Sequence, residues 1–394
     1  MFNISAKIYP FLITQVFVSA GVALNLTVAA LATATVTGRD SLGGLAQTSI
    51  IIGATIITTL STLVTRTHGR LISLRLALGL AVLGSLLCNL AVSSTGALRW
   101  IIFVGLFLLG GGTVSALLSR FAAADSIKNP TDASTAISMV LFGSAIGSAV
   151  GPHLYSVAAR MSDNPMHAVF LCSAAVFSLG LVPLFTRKPS TTGIPLRKTN
   201  AHKGLSPWAP TYTAIFCIGV FSHASMISLM AMAPIYSDKA FGVHGTSLTM
   251  TAHLLGMYAL GPVVSAAIKK VHFRPLICLG AAIFLLSYSA LILRPDSLTV
   301  FVASLFGIGL AWSIGMISAS TLASTVPDEH VRITLQGRLD TSINIAAGIS
   351  SVISGVIVAR WGYPTLAAVN GGALLILLLS RFLTRSSSGA RASS

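Results

Sequence analysis

Three histidines lie in or beside long apolar stretches, where their imidazole groups are the side chains best suited to proton transfer. His223 and His253 each lie inside such a stretch, and His153 directly follows Pro152. Histidine can change its charge between pH 5 and 8, so each of the three is a candidate proton relay. The alternative for each is a neutral hydrogen-bonding group in a polar cavity.

A second set of polar and aromatic side chains lies within the apolar stretches and could contact a small solute. Amides and hydroxyls at this depth need hydrogen-bond partners, which a bound molecule or a neighbouring helix can supply. The candidate solute-binding residues are Gln15, Asn25, Gln47, Thr113, Ser222, His223, Trp312 and Asn344. The alternative role for any one of them is helix packing.

The sequence lacks the common patterns of catalysis, nucleotide binding and metal binding. It contains no GxxxxGK[ST], GxSxG or HExxH pattern, and the four cysteines have no CxxC spacing. We therefore predict no enzyme, no cofactor and no metal site.

The elements that must position these residues are membrane-spanning helices. Hydrophobic residues make up 54% of the 394 residues and charged residues only 9%, whereas a soluble domain has about 25% charged residues. Lipid must therefore surround most of the chain. Runs of roughly 20 apolar residues can cross the hydrocarbon core, and twelve such runs are predicted at 9–36, 43–65, 71–93, 98–119, 136–158, 167–186, 209–234, 246–268, 275–293, 298–322, 340–359 and 363–384.

The net charge of +16 reflects membrane topology rather than a nucleic-acid partner. Lysines and arginines are concentrated in alternate loops. Each intervening loop carries a single one: Arg39, Arg99, Arg160, Lys239, Arg294 and Arg360. This positive-inside pattern places both termini in the cytoplasm. We predict a multi-pass protein of the cytoplasmic (inner) membrane, in contact with membrane lipid and monomeric.

The longest polar connection divides the chain into two halves of six predicted spans. The predicted N-terminal bundle covers 1–190, a cytoplasmic linker covers 191–208, and the C-terminal bundle covers 209–394. Each half has a basic turn after its second span and a glycine-rich fourth span. The predicted fold is all-helical, with two pseudo-symmetric six-helix bundles, which is typical of secondary transporters.

The fifth predicted span has Gly143, Gly147 and Gly151 at four-residue spacing, followed by Pro152. Glycines at this spacing lie on one helix face and let a neighbouring backbone approach closely. Pro152 removes one backbone hydrogen bond and bends the helix. We predict a tightly packed, kinked helix that is suited to gating.

Together these features resemble the major facilitator superfamily over essentially the whole chain. The GxxxGP element is similar to the motif of its exporters and antiporters, although Tyr155 and Ser156 replace the Gly-Gly that often ends it. The basic turn retains Gly69 and Arg70 of the family's loop motif, but Arg66 stands in place of its aspartate.

Because that aspartate is replaced, the charge contacts at the cytoplasmic face must be made by other carboxylates. Asp125 is a candidate partner for Arg66, Arg70 or Arg120, and Asp340, beside Arg338, is a second candidate. The alternative is ordinary solvated loop charge, since exposed pairs contribute only ~0–1 kcal/mol.

The resemblance implies a secondary transporter that works by alternating access. The exporter-like motif favours export of small amphipathic or hydrophobic compounds in exchange for protons. All nine acidic residues are expected at helix ends or in loops, so no intramembrane carboxylate is predicted for proton coupling. Two alternatives therefore stay open: a proton-independent facilitator or importer of a neutral metabolite, and a non-transporting membrane receptor on the same scaffold.

Overall fold

The computed structural model describes residues 8–125, 130–162, 164–187, 210–261, 263–264, 267, 273–324 and 329–391. This part of the chain contains eleven helices, two short 3-10 turns (Asp40–Leu42 and Gly96–Ile101) and no strand. The helices are α1 Tyr9–Thr37, α2 Gly43–His68, α3 Arg70–Ser93, α4 Ile102–Asp125, α5 Pro130–Ala159, α6 Pro165–Phe185, α7 Pro210–Tyr258, α8 Phe273–Leu293, α9 Leu298–Ser324, α10 Glu329–Trp361 and α11 Tyr363–Arg391.

Most of these helices are long and apolar enough to cross a membrane. Nine candidate spans are found among the described residues. Since roughly 20 apolar residues are needed for one crossing, the chain is a multi-pass membrane protein, and its predicted all-helical class is confirmed. The count of twelve spans in two six-helix bundles stays a prediction.

The predicted break between the seventh and eighth spans lies within α7, in which two helical segments meet at a kink. Only Gly242, with φ 69° and ψ −174°, departs from helical geometry inside α7. Glycine adopts a positive φ without a steric penalty, so one residue bends the chain where a polar loop was expected. Asp238 lies near the end of the first of these two segments, shortly before Gly242.

The contacts within the chain divide it into two compact units. Unit 1 comprises Met1–Ala201 with Ala231–Leu255, and unit 2 comprises His202–Met230 with Gly256–Ser394. The central part of α7 thus belongs to unit 1 and its two ends to unit 2. The boundaries predicted from sequence, 1–190, 191–208 and 209–394, describe a different division and stay a prediction.

In unit 1, three consecutive glycines let α4 pack closely against three neighbours. A Cβ atom at Gly110 would lie 2.7 Å from the carbonyl oxygen of Ile50 in α2, and one at Gly112 would lie 2.9 Å from the ring of Phe177 in α6. A Cβ atom at Gly111 would meet the backbone of α3. Successive helical residues point about 100° apart, so each glycine faces a different helix.

Aromatic side chains form much of the interior of unit 2. The ring of Phe284 in α8 makes an edge contact with Phe221 in α7 and stacks on Tyr288, with centroid separations of 6.0 and 5.6 Å. Tyr363, at the start of α11, donates a hydrogen bond of 3.1 Å to the carbonyl oxygen of Leu229 in α7. These contacts connect the first part of α7 to α8 and α11.

Candidate functional site

The glycine face of α5 lies directly against α1 within unit 1. A Cβ atom at Gly147 would lie 2.9 Å from the backbone nitrogen of Ala20, and one at Gly151 would lie 2.5 Å from the carbonyl oxygen of the same residue. At Gly143 the nearest atom would be the end of the Leu12 side chain, at 3.0 Å. The structure therefore identifies α1 as the neighbour of this face, and its role in gating stays a prediction.

Beyond Pro152, which lies inside α5, two side-chain hydrogen bonds connect α5 to α7. Tyr155 is only 2% exposed and donates to Oδ1 of Asp238 at 2.9 Å. The hydroxyl oxygens of Ser156 and Ser247 are 2.6 Å apart. Tyr155 and Ser156 are the two residues that replace the Gly-Gly of the exporter-like motif, so the chain departs from that motif where α5 contacts α7.

The residue after Asp238 forms an ion pair. Lys239, which follows Asp238 in α7, donates to Oδ2 of Asp40 at the start of the 3-10 turn after α1. We call these six residues the Asp238 cluster: Asp40, Tyr155, Ser156, Asp238, Lys239 and Ser247. The cluster joins α5 and the turn before α2 to the central part of α7.

Polar side chains on α1 contact α5 and α6. The Nε2 atom of Gln15 donates to Oγ of Ser144 at 2.6 Å and to Oγ of Ser19 at 3.2 Å. The Nδ2 atom of Asn25 donates to Oγ of Ser173 at 2.7 Å. The carbonyl oxygens of both amides are buried without a hydrogen-bond partner among the described residues. Each amide therefore retains an acceptor for a solute or a water molecule.

Two of the predicted solute contacts share one cavity in unit 1. Asn25 and Thr113 line a space of about 10 Å³ together with apolar residues that include Phe177. This volume is near the lower limit for one water molecule. Gln47 on α2 is buried and is not among the residues that line this cavity.

A second group of predicted residues comes together in unit 2. The Nε1 atom of Trp312 donates to Nδ1 of His223 at 2.9 Å. The ring of Tyr258 makes an edge contact with the Trp312 indole at a centroid separation of 6.1 Å. In this arrangement Nδ1 of His223 is the acceptor and its Nε2 atom is not used in the contact. We call these three residues the Trp312 cluster.

Ser222, next to His223, is buried against Gly315 of α9, where a Cβ atom would lie 2.8 Å from the Ser222 Cβ. Asn344 is exposed on α10 and donates to the carbonyl oxygen of Asp340 one turn earlier. Its hydrogen bond is thus made within its own helix, and it joins neither cluster.

The remaining predicted residues are dispersed. His253 is fully buried in the part of α7 that belongs to unit 1, whereas His153 is exposed on α5. Gly69 ends α2 with φ 83°, and Arg70 begins α3. The side chain of Asp125 lies outside the described residues.

Several contacts between distant residues were not predicted from the sequence. Tyr155 and Asp238 are 83 positions apart, and His223 and Trp312 are 89 apart. No local pattern could pair them. The one available signal was the replacement of the motif's Gly-Gly by Tyr155 and Ser156.

Sequence comparisons identify related transporters. A profile of the Major Facilitator Superfamily matches residues 214–394. The MFS-type transporter YddS of Bacillus subtilis (strain 168) is 24% identical over 388 residues, which cover 93% of this chain and 87% of YddS. YdeG of the same organism, also an MFS-type transporter, is 24% identical over 392 residues, with coverage of 93% and 89%.

Solved structures show the same likeness in three dimensions. The nucleoside transporter NupG superposes with a TM-score of 0.71 at 13% identity, covering 95% of this chain and 98% of NupG. The chain has the major facilitator fold. The xylose transporter XylE from E. coli, in a partially occluded inward open conformation, gives 0.65 at 13% identity, covering 93% and 97%. The resemblance inferred from the sequence is thereby confirmed at the level of fold.

Proposed function

We propose that this chain is a secondary transporter that works by alternating access and exports small amphipathic or hydrophobic compounds in exchange for protons. The observation that carries the proposal is the likeness to solved transporters over nearly the full length of both chains. The sequence relatives, which are MFS-type transporters, also support it.

We assign solute recognition to the Trp312 cluster. It combines aromatic faces with one imidazole, so it offers both apolar surface and a hydrogen-bonding group to an amphipathic molecule. Small-molecule sites generally have this composition, with few polar groups in an apolar surround. Ser222, the neighbour of His223, contributes a hydroxyl beside the same cluster.

Export is supported by the GxxxGP element and its tight packing on α1. Proton exchange is supported by Asp238, a half-buried carboxylate that lies shortly before the Gly242 kink of α7 and accepts a hydrogen bond from Tyr155. Ionisable groups within membrane helices commonly mark proton pathways. Asp238 is therefore a stronger candidate for coupling than exposed His153.

The proposal is tested by solute-driven proton movement in proteoliposomes. The purified chain is reconstituted with a pH-sensitive dye inside, a pH gradient is imposed, and amphipathic compounds and neutral metabolites are added in turn. We expect at least one amphipathic compound to accelerate collapse of the gradient relative to empty liposomes. Solute flux without proton movement would contradict the proposed coupling.

A facilitator of a neutral metabolite is the second candidate function. Gln15 and Asn25 favour it, because each presents an amide oxygen without a described partner, and such acceptors suit a solute with hydroxyl or amino donors. In this case tracer flux of a neutral solute would be independent of the pH gradient.

Substitution of Trp312 by phenylalanine tests the assigned solute site. The change keeps an aromatic face but removes the indole donor to His223. We expect the initial transport rate to fall about fivefold, which corresponds to the ~1 kcal/mol net value of one hydrogen bond. Trp361→Phe is the matched control, because Trp361 is 59% exposed at the end of α10. Equal rates for the two variants would exclude the cluster from solute recognition.

A further inference from the structure

Four helices of unit 2, namely α7, α8, α9 and α11, surround a cavity of about 930 Å³. Sites that bind small molecules typically have volumes of about 300–1,000 Å³, so this cavity can hold a sizeable organic group. Most of its lining is apolar and includes Phe221, Ile277, Phe284, Ile314, Leu374 and Leu378.

The cavity is distinct from the Trp312 cluster and adjoins it at Ser222. None of the three residues of the Trp312 cluster is among its described lining residues, although the neighbouring Ser222 is. The thiols of Cys217 and Cys278 also lie on its wall, and both cysteines are free.

Among the described residues that line the cavity, Arg274 is the one with a charged side chain. It is the second residue of α8, it is exposed, and no carboxylate of the described residues lies within ion-pair distance of it. The positive end of the helix dipole lies at the same place. An apolar wall that ends at a cation with no carboxylate partner among the described residues is complementary to an apolar chain with an anionic head.

The bilayer itself supplies molecules of this chemistry. The positive-inside pattern places Arg274 at the cytoplasmic face, beside Lys269 and Lys270 in the sequence. Basic pockets between membrane helices on that side bind the headgroups of anionic lipids. A neutral lipid would leave the guanidinium group without a counter-charge.

We infer that this cavity binds an acyl chain of an anionic phospholipid, with the lipid phosphate at Arg274. The inference goes beyond the proposed function, since it assigns a lipid site inside unit 2 and does not depend on which solute is transported or in which direction. Its test needs no transport assay.

The native cysteines provide reporters for the test. Cys217 and Cys278 line the cavity, whereas Cys172 lies on α6 in unit 1 and Cys88 is fully buried in α3. A lipid chain in the cavity should shield the first two thiols from a small reagent and leave the reactivity of Cys172 unchanged.

The full-length protein in mild detergent is mixed with phosphatidylglycerol or with phosphatidylcholine and treated with N-ethylmaleimide. Peptide mass spectrometry then measures the labelling of each cysteine. We expect phosphatidylglycerol to slow labelling of Cys217 and Cys278 and to have no effect on Cys172. Substitution Arg274→Gln should raise the concentration of phosphatidylglycerol required for protection about fivefold, which corresponds to ~1 kcal/mol for one basic side chain at an anionic surface.

Arg294→Gln is the matched control, because Arg294 directly follows the other end of α8 and should leave protection unchanged. Equal protection by the two lipids, loss of protection in both variants, or no protection at all would overturn the inference. Unchanged labelling of Cys172 in each variant verifies that unit 1 is intact. A native mass spectrum gives an independent readout, in which a smaller fraction of the Arg274→Gln variant than of the wild type should carry bound phosphatidylglycerol at the same lipid concentration.

Discussion

Substitution of Gly147 or Gly151 by alanine should lower the thermal unfolding temperature by roughly 1–4 °C, because an added methyl group would force α1 away from α5. The Cβ atom at Gly147 would lie 2.8 Å from Cβ of Ser19 and 2.9 Å from the backbone nitrogen of Ala20. Overpacking of this kind typically costs ~1–3 kcal/mol. The measurement is intrinsic tryptophan fluorescence of the purified protein during heating.

Two other glycines provide matched controls. Gly143→Ala would lie 3.0 Å from the end of the flexible Leu12 side chain and no nearer than 3.4 Å to any backbone atom, and Gly79 in α3 has no atom within 4 Å of an added Cβ. Both variants should unfold near the wild-type temperature, or slightly above it, because alanine favours the helix by ~0.5–1 kcal/mol over glycine.

The same glycine-to-alanine variants distinguish a role in helix packing from a role in gating when their transport is also measured. If Gly147→Ala unfolds at the wild-type temperature but no longer transports, the glycine face acts during the transport cycle rather than in stability. If Gly147→Ala and Gly79→Ala behave alike in both assays, the close α1–α5 contact is contradicted.

A disulfide between positions 156 and 247 should stop transport. The hydroxyl oxygens of Ser156 and Ser247 are 2.6 Å apart, close to the ~2.0 Å of an S–S bond. The double substitution Ser156→Cys with Ser247→Cys is therefore expected to oxidise readily. If alternating access requires the Asp238 cluster to open, the bond holds it closed and flux should fall to the level of empty liposomes.

Reduction with dithiothreitol should restore most of this flux, which distinguishes a trapped state from a misfolded protein. Each single cysteine variant, treated with the same oxidant, is the control for damage to the native cysteines. A cross-linked protein, verified by its mass, that transports at the wild-type rate would show that the cluster stays closed throughout the cycle.

It was predictable from the sequence that the protein is an all-helical membrane protein. This class depends on a local feature, namely apolar runs separated by charged or polar residues. The exact place of the break between the seventh and eighth spans was not predictable, because it falls at a single residue, Gly242, whose neighbours on both sides are helical. Asp238 was consequently placed in a loop. A sequence shows how polar a segment is, but it does not show that a single positive φ can replace a turn.

For the candidate site, the sequence predicted which residues take part but not which of them are in contact. Depth in an apolar run selected His223 and Trp312 separately, and the structure brings them into contact through helices far apart in sequence. The spacing of Gly147 and Gly151 indicated a close helix contact without indicating the partner. Pairing of this kind depends on tertiary packing, which one sequence without an alignment does not record.

The three glycines of α4 also limit which insertions and deletions the gene can tolerate. Gly110, Gly111 and Gly112 each face a different helix, and one added or removed residue rotates everything beyond it by about 100°. An insertion before the run would put Leu109 in the place of Gly110, and a deletion would put Thr113 in the place of Gly112, so one close contact would receive a bulkier side chain in either case. Length differences among natural variants of this chain should therefore fall outside Ile102–Asp125.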